Sequence, residues 1–197
     1  MRVAFTEVPP PAREALTTRI QEAIDKDARL REILAKRRDM AQSALNEAVR
    51  SGRISAEDLF DTHYRPVPGS NPEQFTTAAL PFLESVLPAI QEPVTAEDSS
   101  IAFCVAVDRN GYLPVHMASY SRPQGDDPEW NQRHSRNRRK FDDRAGLAAA
   151  RNLQEILVQT YHRQLDNGAT VMMKDLSMPI TVEGRHWGAM RMAVPVT

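Results

Sequence analysis

Cysteine is almost absent: Cys104 is the one thiol in 197 residues. It has no partner within the chain, which excludes an intrachain disulfide framework and a cysteine-built zinc module. Long hydrophobic runs are missing too. The longest, Ile101 to Val107, holds seven residues, against about 20 for a membrane-spanning helix. The opening Met-Arg-Val-Ala-Phe-Thr-Glu reaches an acid before an apolar leader could form, so the chain reads as cytoplasmic, with no membrane partner. Neither sign of charge dominates: 25 Lys and Arg stand against 26 Asp and Glu, a net charge of -1. That excludes a globally basic nucleic-acid binder and leaves only a local basic patch. What remains is ordinary globular composition, 41% hydrophobic and 26% charged, in a length suited to one good core plus an appendage.

Residues 12–50, after Pro9-Pro10-Pro11, contain neither Gly nor Pro and are rich in Ala, Leu, Arg, Glu and Lys, all good helix formers. Leu16, Ile20 and Ile24, then Leu30, Ile33 and Leu34, then Met40, Ala41, Ala44, Leu45 and Ala48 form one apolar stripe of an amphipathic helix. The stripe suits packing on the helix's own domain or a dimerising, signalling helix. Ser51-Gly52 ends it, and Ser55 caps a short helical turn. Residues 62–72, with three prolines and a glycine, read as a loop. A second helix is expected over about 73–91, kinked or split by Pro81 and Pro88.

From residue 100 the period becomes two. Ile101, Phe103, Val105 and Val107 make a bulky face, and Ala102, Cys104 and Ala106 a small one. Asp108-Arg-Asn-Gly111 carries the Asn-Gly pair of a two-residue type I′ hairpin, returning over 112–118. Residues 119–136 read as irregular, 137–152 as two short helices around Gly146, 155–163 as a strand, and 166–168 as a turn. Strands over 170–181 and 185–194 follow, joined at Glu183-Gly184. The expected fold is α+β: a PAS/Cache-like five-stranded antiparallel sheet with flanking helices at 99–197, preceded by a helical region at 1–98. The small face of the first strand is expected to leave room for a ligand.

Several blocks carry a resemblance. Residues 103–116 (FCVAVDRNGYLPVH), 135–152 (SRNRRKFDDRAGLAAARN), 174–180 (KDLSMPI) and 184–188 (GRHWG), with 52–60 (GRISAEDLF) and 64–69 (YRPVPG) upstream, resemble the Cache/PAS-like sensory domain found C-terminally in cytoplasmic methyl-accepting chemotaxis proteins. The resemblance spans about 52–194 and implies a small-molecule sensor relaying to a helix. The long methylated signalling hairpin of a chemoreceptor does not fit in 197 residues, so the expectation is a stand-alone sensor or a partner of a receptor, dimerising through its N-terminal helix.

Candidate ligand contacts follow. Arg136, Arg138 and Arg139 offer planar donor forks to an anion, with Phe141 and Asp142 beside them; the alternatives are a solvated loop, local ion pairs, or base stacking by Phe141 on nucleic acid. Tyr112 and His116 fall on one face of the strand over 112–118 and become ligand contacts if that face lines the cavity. Tyr161, Arg151, Lys174 and Asp175 complete the set, with a buried ion pair an equal reading of the last two. The five histidines show no paired helical spacing, so no metal is expected; haem on His116 is the one cofactor alternative. No nucleophile elbow, phosphate loop or dinucleotide fingerprint is present, so no enzyme activity is expected. The rival to sensing is an interaction module that works through its helix with a filled cavity.

Overall fold

The structure, a computed structural model, describes residues 9–164 and 168–196. Two compact units divide inside the first helix, one ending at Ile33 and the other starting at Leu34. That helix, α1, is Pro10–Arg50; prolines in its first turn cost nothing because those N–H groups have no intrahelical acceptor. In the first unit Leu16, Ile20 and Ile24 are exposed. In the second, Leu34, Ala41, Leu45 and Ala48 are buried, and the helix closes with the Arg53 N–H donating to the Ala48 carbonyl.

Helix α2 (Ala56–Leu59) is capped by the Ser55 hydroxyl, which accepts from the Asp58 N–H. Strands β1 (Arg65–Pro66) and β2 (Phe75–Thr76) pair antiparallel. Helix α3, Leu80–Gln91, starts later than the expected 73. Residues before it are committed elsewhere: the Gln74 N–H donates to Ser70 Oγ, and the Phe75 N–H to the Arg138 carbonyl. Helix α4 (Val94–Glu97) follows.

The main sheet has four antiparallel strands, not five. Its order is β3 (Phe103–Asp108), β8 (Arg185–Pro195), β7 (Thr170–Val182), β6 (Leu157–Gln164). The expected partner of β3, β4 (Tyr112–Leu113), pairs instead with β5 (Arg139–Lys140) in a separate ribbon. Two causes are visible. A type I′ turn needs positive φ at both central residues, yet only Gly111 (φ 78) adopts it while Asn110 does not. The Asp108 carboxylate also takes the N–H groups of Asn110 and Tyr112 at 2.8 and 2.9 Å, so the Tyr112 amide is spent on a side chain rather than a ladder.

Strand β7 runs into β8 through Glu183-Gly184, as the sequence suggests, with Val182 opposite Arg185. The stretch expected to be irregular contains a 3-10 turn at Ala118–Tyr120 and helix α5, Pro128–His134. Asp127 caps α5 through the N–H groups of Glu129 and Trp130, and Pro128 occupies the first helical position; this Asp-Pro-Glu start was readable. In place of two helices around Gly146 there is one, α6, Arg144–Ala150. The turn expected at 166–168 lies outside the described residues except for Gly168.

Register puts Phe103, Val105 and Val107 of β3, Arg191 of β8, Asp175 and Ser177 of β7, and Gln159 and Tyr161 of β6 on one face. Helix α6 lies against β6, β7 and β8. Cys104 and Ala106, on the opposite face, are fully buried, and their small side chains leave no vacancy. Burial pushes the Cys104 thiol up to about 12, with Arg37 of α1 and Glu97 of α4 as its charged neighbours; Arg37 itself pairs with Glu97. The free edge of β3 is closed by buried Gln91, which accepts from the Ala106 N–H and donates to the Val115 carbonyl, a side chain standing where another strand would otherwise pair.

Candidate functional site

The vacancy lies on the bulky face, contrary to expectation. It is a cavity of about 80 Å³ whose hydrocarbon wall includes Phe103, Val105, Val107, Leu113 and Phe141, and whose polar groups are His116, Arg136, Asp143, Tyr161 and Arg191. The chain places each for a local reason. Phe141 reaches the cavity because its backbone carbonyl lies against Gly111 and Gly146, where a Cβ on either would collide with it. Asp143 caps α6, accepting from the N–H groups of Ala145 and Gly146 at 2.9 Å. Tyr161 and Arg163 are two apart on β6 and share a face. Beyond the cavity opens a cleft of about 850 Å³ that shares Arg136, Asp143 and Tyr161 with it and adds Glu129, Gln132 and Arg163. The cleft is large enough for a ligand of metabolite size; the inner cavity holds only a small head group.

Charge in this space is unbalanced. The Arg136 side chain has no carboxylate partner among the described residues; its guanidinium makes one long 3.5 Å approach to the Gln132 carbonyl and lies 5.0 Å from the Phe141 ring centre. Burial, then Arg163 and Arg139, bring it down to about 10, so it remains a cation at neutral pH. Arg163 stacks 5.1 Å from the Tyr120 ring centre and 5.9 Å from that of Phe103. His116 is buried, and its Nδ1 accepts from the Met117 N–H at 2.7 Å. The proton of the neutral ring is therefore on Nε2, which has no hydrogen bond among the described residues. Burial, then Arg136, Arg163 and Arg191, hold His116 well below the usual histidine value. The Tyr161 hydroxyl is raised by burial and then by Asp175, with the arginines opposing.

Beneath the cavity the sheet carries a buried ion pair. Arg191 donates to Asp175 Oδ2 at 3.0 Å, and Gln159 donates to the same oxygen at 2.9 Å. Asp175 Oδ1, Ser177 Oγ and Arg191 Nε are buried without a partner among the described residues, and Ser177 stands directly opposite Arg191 in the ladder. Native interiors rarely leave such atoms unsatisfied. Three together beside a cavity mark a place where water or a polar ligand completes the set.

Of the residues singled out from sequence, the cavity gathers His116, Arg136, Phe141 and Tyr161, and Asp175 stands behind it through Arg191. Arg139 is adjacent: it stacks 5.3 Å from the Phe141 centre and donates to Gln132 Oε1. The others lie elsewhere. Strand β4 ends at Leu113, so the alternation does not carry through to His116, and the Tyr112 hydroxyl donates to the Phe75 carbonyl at 2.8 Å. Arg138, at φ 59, turns outward to Glu84 of α3 with contacts of 2.9 and 2.6 Å. Asp142 is exposed. Arg151 is exposed and reaches the Arg109 carbonyl at 3.4 Å. Lys174 alternates away from Asp175, whose partner is Arg191, so the ion pair considered for Lys174 is formed by another residue. The basic run is accordingly not one surface, and Phe141 is not an open stacking platform. Arg163, Arg191 and Asp143 were missed. The signal for Arg163 was its period-two alternation with Tyr161, and for Asp143 the Asp-x-x-Gly opening of a helix; Arg191 had none, since its place is set by the register of β8 on β7.

One consequence is measurable. His116 titrates lower when folded than when unfolded, so the unfolded chain takes up a proton that the folded chain refuses. The stability contributed by neutral His116 is complete above about 6.5, the ordinary value, and is lost as pH falls from there toward the folded value. Chemical denaturation at pH 7 and pH 5 is expected to show a larger loss for the wild type than for His116→Gln; equal losses would contradict this environment.

Neither the family models nor the curated proteins contain a match to this chain. Among solved structures it is similar to an extracellular ligand binding receptor from Desulfohalobium retbaense DSM5692, at 15% identity and a TM-score of 0.38 over 82% of this chain. The chain spans about a quarter of that receptor, 24% of its length. Among the described residues no helix is long and apolar enough to cross a membrane, and no group of three or more His, Cys, Asp or Glu gathers to hold a metal ion.

Proposed function

We infer that this protein is a ligand-binding sensory module, not an enzyme, and that it takes a small organic anion. The anionic group would enter the inner cavity against Arg136, and the remainder would occupy the outer cleft. One observation carries the reading: Arg136 is a partly buried cation whose strongest charged neighbours are cations, with no acid paired to it among the described residues. A charge held so is costly unless something compensates it, and a carboxylate accepting from the guanidinium fork does so with geometric fit. His116 Nε2–H and the Tyr161 hydroxyl supply further donors, and Phe103, Val107 and Phe141 supply an apolar wall. Asp143, which lines both spaces, would favour a ligand that also carries a donor or a cationic group. No cofactor is part of the proposal; a cavity of about 80 Å³ is far smaller than a porphyrin.

Occupancy would be passed to α1. What supports this is the tie between helix and sheet: Gln42 Oε1 accepts from the Thr181 N–H, and Asn46 bonds both the Thr181 carbonyl and the Glu183 N–H. A ligand shifts such an element only through different affinity for two arrangements. A chemoreceptor-like signalling partner would then read the helix.

The test is a thermal-shift screen of refolded, ligand-free protein against mono- and dicarboxylates, amino acids and nucleobases. A ligand at about 100 times its Kd adds about 2.7 kcal/mol, which for a chain of this size is a rise of about 5–10 °C. A carboxylate-bearing compound is expected to give it. No shift across the set, or shifts with uncharged nucleobases alone, would overturn the reading.

A further inference from the structure

We propose that the first unit is a self-association element: the exposed stripe of α1 pairs antiparallel with that of a second copy, about a twofold axis at Ile20. From Pro10 to Arg29 every residue except Asp27 is exposed. The stripe there is apolar, with Leu16, Ile20 and Ile24 at 53, 51 and 55% exposure. A single helical segment of this length is marginal in water, and most helices gain their stability by packing an apolar face.

Charge selects the occupant and its direction. Leu16 and Ile24 are each four residues from Ile20, and the small Thr17 and Ala23 are each three away. Arg13 and Asp27 are each seven away, two helical turns or about 10 Å along the axis, on nearly the same line as Ile20. Along this stripe the side chains at equal distances from Ile20 are therefore alike in kind, apart from the opposite charges of Arg13 and Asp27. When two copies run antiparallel, Leu16 meets the partner's Ile24, Ile20 meets the partner's Ile20, and Arg13 meets the partner's Asp27 at both ends. When they run parallel in register, Arg13 opposes Arg13 and Asp27 opposes Asp27, and like charges across a helix pair set partner orientation by repulsion. The stripe is short, so the dimer is weak, half-formed at about 100 µM. This inference does not rest on the ligand reading, and either can fail alone.

The test uses the full chain. Light scattering across 10–500 µM is expected to show a monomer–dimer equilibrium. Arg13→Asp or Asp27→Arg alone should weaken it about tenfold, and the double exchange R13D/D27R should restore it, which parallel pairing would not do. For direction, Leu16→Cys mixed with Ile24→Cys should form a disulfide-linked heterodimer, while Leu16→Cys alone stays uncrosslinked; native Cys104 is buried and does not interfere. Arg13, Leu16 and Ile24 are exposed, so the variants at these three positions should melt like the wild type. A monomer at all concentrations, efficient self-crosslinking of Leu16→Cys, or failure of the double exchange to restore association would each overturn the proposal.

Discussion

Replacing Arg136 with Gln is expected to weaken anion binding on the order of 100-fold while leaving the unliganded protein no less stable. Losing one partner of a desolvated charge pair costs about 3 kcal/mol, an affinity loss on the order of 100-fold. Arg136→Lys retains the charge but not the planar fork, and is expected to lose about tenfold. The stability half of the result is the sharper one. Among the described residues no acid pairs with Arg136, so its removal relieves a partly buried cation; the opposing loss is its stacking on Phe141, a contact worth about 1 kcal/mol. A site residue behaves this way when it is held ready for something that arrives later. Calorimetric titration with the strongest compound from the screen, beside melting curves without it, separates the two effects. Arg136→Gln protein that still binds, or that fails to fold, would assign Arg136 a structural role instead.

The second large effect lies beneath the cavity. Asp175→Ala leaves Arg191 buried and unpaired and is expected to cost about 3–5 kcal/mol, a fall in melting temperature of about 6–20 °C for a chain of this size. Replacing both, as Asp175→Leu with Arg191→Met, should recover most of the loss, since well-packed hydrocarbon often equals or exceeds a buried ion pair. The outcomes for Arg136 and Asp175 are opposite in sign although both residues are charged and near one cavity. Asp175 accepts from Arg191 and Gln159, whereas the Arg136 guanidinium, among the described residues, donates to nothing stronger than a distant carbonyl. Denaturant unfolding of the two single variants and the double one checks this, and an Asp175→Ala chain as stable as the wild type would contradict it.

Much of the architecture could be read in advance because its signals are local. The long helix announces itself by a Gly- and Pro-free run, and the last three strands by alternation and the Glu183-Gly184 turn. The sequence misleads where a side chain competes with the backbone. Asn110-Gly111 has the composition of a tight hairpin, but Asp108 captures the Tyr112 amide and diverts the chain to β5. The same kind of non-local event decides the site. Ala102, Cys104 and Ala106 look like room for a ligand, yet small residues are also what lets neighbouring elements approach, and the cavity opened on the other face, beside Phe103 and Val107. Arg136, Arg138 and Arg139 are near neighbours in sequence with equal claims. Only the left-handed backbone at Arg138, sending its guanidinium to Glu84 while Arg136 turns inward, tells them apart, and no composition rule encodes that. Arg191 stayed unnoticed because its importance comes from register: it stands diagonally across from Asp175 on the neighbouring strand.

The central claim is that an anion completes the charge balance at Arg136. A high-resolution crystal structure of the protein with the best-binding carboxylate tests it most directly. The expected result is a carboxylate within hydrogen-bond distance of the Arg136 guanidinium, one oxygen approaching His116 Nε2 or the Tyr161 hydroxyl. Finding the cavity filled by water alone, with the compound bound at another surface, would contradict the account.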